Sequence, residues 1–597
     1  MRATGSADGR AERGIGWLRI LVLATAAAST LQAAKNYDWW WQLASGRLMV
    51  AQGRLLDSDP FSFTRPGFPW LNHEWLFQLV GYLGFRVAGD WLPALMTLLL
   101  GVAAYCFLFA CALRRSACVA GAGLLLALSL AGARFRFDPR PEMASTCFLA
   151  VLCFLLHSSA TPGHGRRAWL LFPLFAVWCN VHPAVLLGVA VAVLWLIGET
   201  IERQLRHETA ALDVSRITAI LLSPVAILLN PGGWTLITVP FSLHRIVGSG
   251  HAPNMEWARP RFTDFQTFYL TAFAAALFLL ARWLKDLPPV RRLQERGQSP
   301  AGQVSGSWSR GALNLDWPPM LAAALAGALA FQQLRNIGFF FLLLPLALAR
   351  PLGAVLQGSR APVAAMKVLC GSVLVLEMAV FLRGAPEWAG ESYFRKISPS
   401  NAVSFLERND IGRHLFNDVK FGGYLIWKRY PAHRVFIDGR NEVYDSLLAE
   451  VFGALGSWER WEALLDRYDI DAAMLRRGQL QAVQYPPQSP GEAPRRAMRA
   501  FSAAYFQSSL WALVYWDDDA LVFVRRGDPR HAAVLQNEFR IVNPDDAAHL
   551  LLEIGRGRIE ASAALAEVER KLREDPLCAT AIRLRGELLG LVAAGKP

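Results

Sequence analysis

The chain has 597 residues, 53% of them hydrophobic and only 18% charged, with a formal charge of +13. Ordinary soluble domains are about a quarter charged, so a wholly soluble chain is excluded. The apolar excess lies in repeated blocks through the first two thirds, the pattern of a polytopic membrane protein. Arginines crowd the polar links between blocks, where the positive-inside bias and lipid headgroups account for them and no nucleic-acid partner is needed. Seven of the 8 cysteines (Cys106, Cys111, Cys118, Cys147, Cys153, Cys179 and Cys370) fall inside apolar blocks, and Cys578 stands alone. No CxxC or Cys/His spacing supports a disulfide framework or a zinc site, and no GxGxxG or Walker A motif marks a nucleotide site.

In chain order, residues 1–14 form a basic segment expected in the cytoplasm, ahead of a retained first span. The multispan domain covers 15–385. Its apolar blocks lie near 15–34, 75–89, 91–113, 116–133, 142–160, 168–180, 183–202, 214–230, 265–284, 317–333, 336–350 and 362–383. The block 75–89 is short and reads as a partial crossing. Arg114/Arg115, the link 201–216, the long link KDLPPVRRLQERGQSPAGQVSGSWSRG and the link 350–360 are basic, which places them inside. The polar segments 35–73, 134–142, 231–262 and Arg335–Asn336 then share the outer face. The parity closes with eleven crossings, within a range of about 11–13.

The first outer loop, 35–73, begins YDWWWQLASGR. Residues 39–52 fit an amphipathic helix. Trp40, Leu43, Ala44, Leu48 and Ala51 share one arc; Gln42, Ser45, Gly46 and Gln52 take the other, as in an interfacial helix with Arg47 snorkelling. The tryptophans match an aromatic belt. Asp38 follows the first span directly, where a helix C-terminus disfavours a carboxylate, so it is a candidate base. Downstream, DSDPFSFTRPGFPWLNHEW holds Asp57, Asp59, His73 and Glu74. Asp59, with the turn signal Asp59-Pro60, and His73 are candidate substrate contacts, while Glu74 also suits the first turn of the next helix. Arg140 and Arg335 each abut a helix end in a polar and aromatic setting. Arg134 and Arg136 read as headgroup partners, and His182 interrupts an apolar stretch.

From 390 to 530 the composition becomes that of a small α/β domain. HLFND, RVFID, AAMLRR and WALVYW read as strands, and WALVYWDDDALVFVRR as a hairpin with an acidic turn. The paired glycines of FGGYLIW allow a tight turn or a close backbone approach. Asp438 and Arg440 in IDGR sit where a strand end either carries a ligand or forms an internal pair. Residues 531–597 contain one tetratricopeptide-like helix pair, which needs a partner surface.

These motifs resemble the GT-C-type integral membrane glycosyltransferases, in particular an uncharacterised bacterial multispan branch. The residues that carry the resemblance are DWWWQLASGR, DPFSFT, PWLNHEWL, RPE (140–142), FAVWCNVHPAVLLGV, LLNPGGW, MEW (255–257), LRNIGFFFLLLP, LFNDVKFGGYLIWKRYP and RVFIDGRNEVY. The resemblance implies a GT-C-like membrane domain with a C-terminal α/β domain. It further implies transfer of a sugar from a polyprenyl-phosphate lipid to a glycan, lipid or protein acceptor at the outer face of a bacterial inner membrane, leaving the soluble domain periplasmic or extracellular. Asp38 would be the base. Asp59, His73, Glu74, Arg140, His182 and Arg335 would contact substrate, and Asp438 and Arg440 are candidates in the soluble domain. No cofactor is implied by the motifs, and a divalent metal is left open. The alternative is a non-catalytic scaffold or subunit in envelope polysaccharide assembly.

Overall fold

The computed structural model describes residues 5–593 except 117, 162, 209–212, 249–254, 285–314, 358–362, 384–387, 389–390, 395–396, 456 and 486–494. The long basic link expected inside lies outside the described residues. The membrane domain runs through α1 (Gly5–Ser29), α2 (Asp38–Gln52), α3 (Trp75–Ala88), α4 (Leu92–Ser116), α5 (Val119–Ala133), α6 (Pro141–Ser159) and α7 (Leu171–Trp178). It continues through α8 (Val185–Leu205), α9 (Val214–Leu222), α10 (Thr235–Gly248), α11 (Gln266–Leu284), α12 (Trp317–Gln332), α13 (Ile337–Gln357) and α14 (Val363–Leu382). Seven helices among the described residues are long and apolar enough to cross a membrane, and two shorter apolar helices, Gly16–Ser29 and Val214–Leu229, accompany them. The chain is a mostly helical, multi-pass protein; the difference from eleven lies in blocks such as α12 and α7 that are helical but short.

The two ends of the bundle differ. At the start of α6 stands Arg140, while at its far end the Ser159 hydroxyl accepts a bond from Arg216 Nε at 3.0 Å. Arg216 also meets Glu199 at 2.6 and 2.8 Å. Close by, Arg350 bonds Glu202 at 2.7 Å, and Arg115 pairs with the buried Asp316. The arginines assigned to the inner links therefore close ion pairs at one end, and the segments assigned to the outer face gather at the other.

The soluble part holds α15 (Ser400–Arg408), β1 (Leu415–Asn417), α16 (Val419–Arg429), α17 (Asn441–Ala454), α18 (Trp458–Arg467), β2 (Ala472–Arg476), β3 (Leu480–Tyr485), β4 (Arg495–Ala500), β5 (Trp511–Trp516) and β6 (Ala520–Arg525). The main sheet has the order β1-β2-β6-β5, with β1 and β2 parallel and the rest antiparallel. The acidic turn between β5 and β6 is built on Asp517, whose Oδ1 accepts the Asp519 and Ala520 N–H groups at 2.8 Å. RVFID does not form a named strand; Val435 makes one bridge, to Ser62 of the outer loop. FGG lies inside α16, not in a turn: a Cβ on Gly422 would sit 2.1 Å from the Ile437 carbonyl, so the glycine serves close approach. The tail helices α19 (Ala561–Glu574) and α20 (Ala579–Ala593) pack on this sheet. Arg570 lies 4.2 Å over Phe539, and Asp518 accepts the N–H groups of Ala579 and Thr580 at 2.8 Å.

The first outer loop belongs to the soluble domain's core. Helix α2 forms as the periodicity predicts, but most of its polar arc is covered: Gln42, Ser45 and Gly46 are buried like Trp39, Trp40 and Trp41, and of that arc only Gln52 at its end is exposed. Trp40 packs on Phe394 (4.7 Å), Tyr424 (5.2 Å) and Trp427 (6.2 Å). Arg47 covers the Trp427 ring at 4.4 Å and donates to the Trp427 carbonyl at 3.1 Å. The tryptophans are thus protein core and not an aromatic belt. Periodicity shows which residues share a face but not that a second domain, nearly 400 residues later, covers the other.

A buried ionic junction fixes that docking. Arg440 donates from Nη2 to Asp59 Oδ1 (2.7 Å) and Asp438 Oδ2 (2.6 Å), and from Nε to Asp438 Oδ1 (2.8 Å). Tyr444 OH donates to Asp438 at 2.7 Å, and all three charged groups are at most 2% exposed. Beside it, Phe63 N–H and Val435 N–H bond across the two segments at 3.1 and 3.0 Å. Removing one member of a buried pair strands the others' charge, at a cost of about 3–5 kcal/mol. Arg440→Met is therefore expected to lower the unfolding temperature of the intact protein and to open the loop 53–69 to protease, both read against wild type.

Candidate active site

Asp38 does not follow the first span directly. Residues 30–37 intervene, and Asp38 opens α2, where the helix dipole favours a carboxylate. Its N–H donates to Asn36 Oδ1 at 2.8 Å, and its Oδ1 accepts from Trp41 Nε1 at 3.0 Å. Burial nevertheless dominates, and even with the Trp41 bond and Arg140 nearby the carboxyl is pushed up to about 6.

Asp38 faces a cavity of about 130 Å³ lined also by His73, Glu74, Arg140, His182, Arg335 and Arg440. Six of the candidate substrate or base residues thus converge from α2, the following loop, and the starts of α6, α8 and α13. Asp59 and Asp438 do not line it; they are consumed by Arg440. Groups not singled out from the sequence complete the wall: Gln42, Asn72 and Gln78, Glu142 and Glu256, and Glu442 of the soluble domain. Glu142 and Glu256 stand within the motifs RPE and MEW, which was the available signal for them.

The cationic wall is a lattice. Arg140 forms a fork with Glu256 at 3.0 and 2.8 Å, and Arg136 forks onto Glu142 and also approaches Glu256 at 3.2 Å. Arg136 is accordingly not a headgroup partner but buried, whereas Arg134 bonds the carbonyls of Ser29 (3.1 Å) and Phe381 (3.3 Å). Burial opposes ionisation of Glu256, yet Arg140 and Arg136 hold it well below the carboxylate range. Arg335 differs. It lies 4.6 Å over the Trp257 ring, its nearest carboxylate oxygen is 3.9 Å away on Glu142, and it makes no hydrogen bond among the described residues. Of the guanidiniums Arg136, Arg140 and Arg335, only Arg335 lacks a directly bonded carboxylate, and a guanidinium fork is suited to an anionic oxygen.

The opposite wall is acidic and amidic. Glu74 does not cap α3; Gln42 Nε2 donates to it at 3.2 Å. Burial, then Glu442 and Asp38, push the Glu74 carboxyl well above its ordinary value. Two imidazoles approach it, His73 Nε2 at 3.8 Å and His182 Nε2 at 3.9 Å. Ser145 Oγ accepts from Trp178 Nε1 at 2.8 Å and lies 2.9 Å from His182 Nδ1, which also accepts the Ala184 N–H at 3.4 Å. The His182 proton therefore sits on Nε2, facing the cavity. Burial and Arg335 hold His182 down to about 3, so the ring is neutral.

A separate grouping with metal-like spacing, Asp471, Asp528 and His531, lies in the soluble domain. Arg530 already supplies a cation there, bonded to Asp528 and 3.5 Å from Asp471.

No family model and no curated protein matches the chain. Among solved structures it is similar to ArnT from Cupriavidus metallidurans bound to undecaprenyl phosphate, with a TM-score of 0.48 and 13% identity over 88% of this chain and 99% of that one. It is also similar to the Archaeoglobus fulgidus oligosaccharyltransferase tethered with an acceptor peptide containing the NVT sequon, with a TM-score of 0.49 and 10% identity over 93% and 86%. At such scores neither carries an activity or a residue role to this chain.

The upward shift of Glu74 has a spectroscopic test. The infrared spectrum of the purified protein at pH 7 is expected to show a carboxylic acid C=O band that disappears in Glu74→Gln, and that substitution should leave the unfolding temperature nearly unchanged because it keeps the neutral shape.

Proposed function

We propose that the protein is a membrane glycosyltransferase that moves a sugar from a polyprenyl-phosphate-linked donor to an acceptor hydroxyl, with Asp38 as base. The observation that carries this reading is the shared cavity. A carboxylate whose pKa of about 6 suits proton abstraction near neutrality faces the same space as Arg335, a guanidinium with no directly bonded carboxylate. The resemblance of the outer-loop and RPE, MEW and LRNIG motifs to GT-C-type enzymes supports it.

In this scheme the donor phosphate binds against Arg335 and Arg140, and the sugar lies toward Glu74, His182 and Gln42. Asp38 takes the acceptor hydroxyl's proton as the oxygen attacks the anomeric carbon. The bond from that carbon to the phosphate oxygen breaks, and the phosphate leaves with its charge held by the guanidiniums. One displacement inverts the anomeric centre. The cavity end of the bundle is the outer face of the bacterial inner membrane in this reading, with the soluble domain periplasmic or extracellular. No step requires a metal-derived nucleophile, and a divalent ion on the donor phosphate is compatible with the chemistry.

The test is transfer by the purified protein from a panel of polyprenyl-phosphate sugars. Asp38→Asn is expected to lower kcat about 10²–10⁴-fold. Since Asp38 accepts a proton only when ionised, wild-type kcat/KM should fall tenfold per pH unit below about 6, and the residual activity of the Asp38→Asn variant should lose that limb. Arg335→Ala is expected to cost about 10²-fold in kcat, as loss of one charge-stabilising donor does. A wild-type protein inert to every donor, yet recovered with an envelope-assembly complex, would overturn the enzyme in favour of a scaffold.

A further inference from the structure

The turn Asp438-Gly439-Arg440 reaches from the soluble domain into the site. A Cβ built on Gly439 would lie 2.1 Å from Asp38 Oδ1 and 3.3 Å from both Asp38 Cγ and Trp41 Nε1. Real Cβ contacts do not fall below 3.0 Å, so any side chain at 439 must displace either the carboxylate or the turn. The turn has little room to yield. Asp438 and Arg440 on either side are locked into the buried junction with Asp59 and Tyr444, and Asn441 N–H closes back onto the Gly439 carbonyl at 3.0 Å. Nor is the glycine there for torsional freedom, since Gly439 is not among the positive-φ residues. What it provides is an absent side chain, at the place where a carboxylate needs room.

We propose that Gly439 is a positioning residue, through which the soluble domain seats the Asp38 carboxylate in the cavity. Trp41 Nε1 holds Asp38 Oδ1 from one side and the Gly439 backbone backs it from another, which leaves Oδ2 without a hydrogen-bond partner among the described residues. The soluble domain is thus one wall of the active centre, and the inference rests on Asp38 acting as proposed above. Glu442 and Asn441, which line the same cavity, follow directly on this turn.

The experiment uses the full-length protein with Gly439→Ala, Asp38→Ala, the double variant, and Gly453→Ala as control, because a Cβ at 453 meets nothing within 4 Å. Gly439→Ala should lower kcat at least about tenfold while donor KM stays within about twofold, and in the Asp38→Ala background it should change the residual rate by less than about twofold. Gly453→Ala should match wild type. Unchanged kcat in Gly439→Ala, or losses that add in the double variant, overturn the proposal. Carbodiimide labelling of Asp38, followed by mass spectrometry, separates this from failure of the transferase reading. If the wild type transfers no sugar, that reading falls, while labelling changed several-fold in Gly439→Ala alone still supports the contact and unchanged labelling overturns it. If Gly439→Ala does not fold, adding Asp38→Ala should restore expression because the clashing atom is gone; no recovery also overturns the proposal.

Discussion

The arrangement depends on one buried junction, Arg440 with Asp59, Asp438 and Tyr444. Two carboxylates and one guanidinium out of water are a poor source of net stability, since desolvation offsets most of their attraction. What such a set supplies is geometry. Each partner has a fixed direction, and any slippage between the outer loop and the soluble domain leaves a charge unpaired. The junction lies directly beside Asp38 in three dimensions, although 381 residues separate Asp59 from Arg440. It is also sheathed by aromatic faces, with Trp70 at 4.7 Å and Phe61 at 5.1 Å from the guanidinium carbon, which keeps water from competing for the pair.

From that fixed edge the cavity divides into two walls of opposite sign. The membrane helices contribute guanidiniums, and the outer loop and soluble domain contribute Asp38, Glu74 and Glu442. Burial raises both Asp38 and Glu74, and Glu442 and Asp38 raise Glu74 further, which favours the protonated form that can donate a hydrogen bond as well as accept one. A ligand with a phosphate at one end and hydroxyls at the other matches both walls at once. A purely anionic ligand would leave the acidic wall unsatisfied, and a purely polyhydroxylic one would leave Arg335 without a bonded anion.

Much of the site was legible in the sequence because its members interrupt apolar context. Asp38, His73, Glu74, Arg140, His182 and Arg335 were all conspicuous as polar groups next to spans, and all face the cavity. Asp59 stood out at a turn and Asp438 at a strand end; the internal Asp438–Arg440 pair was one of the two readings of IDGR, whereas the bond from Arg440 to Asp59 crosses between distant segments and left no local signal. Glu142 and Glu256 escaped because an acid near arginines reads as local pairing, and the fork between Arg140 and Glu256 joins residues 116 apart. The burial of Trp39–Trp41 escaped for a related reason: an aromatic run beside a span satisfies the rule for an interface equally well when its true neighbour is another domain.

The end of the bundle away from the cavity offers the comparison that separates structure from function. There too arginines are withdrawn from water among helices: Arg115 with Asp316, Arg216 with Glu199, Arg350 with Glu202. Each of these guanidiniums has a carboxylate within direct bonding distance, so the network is closed and its attraction for a further anion is spent. At the cavity end the same chemistry is left one partner short. Arg335 stacks on Trp257 and stops 3.9 Å from the nearest carboxylate oxygen. Arg335 is partly exposed toward the cavity and has no bonded carboxylate of its own, a contact that the phosphate of the proposed donor would supply. That unspent charge, facing a carboxylate seated by a second domain, is what distinguishes a site from an ion-pair network.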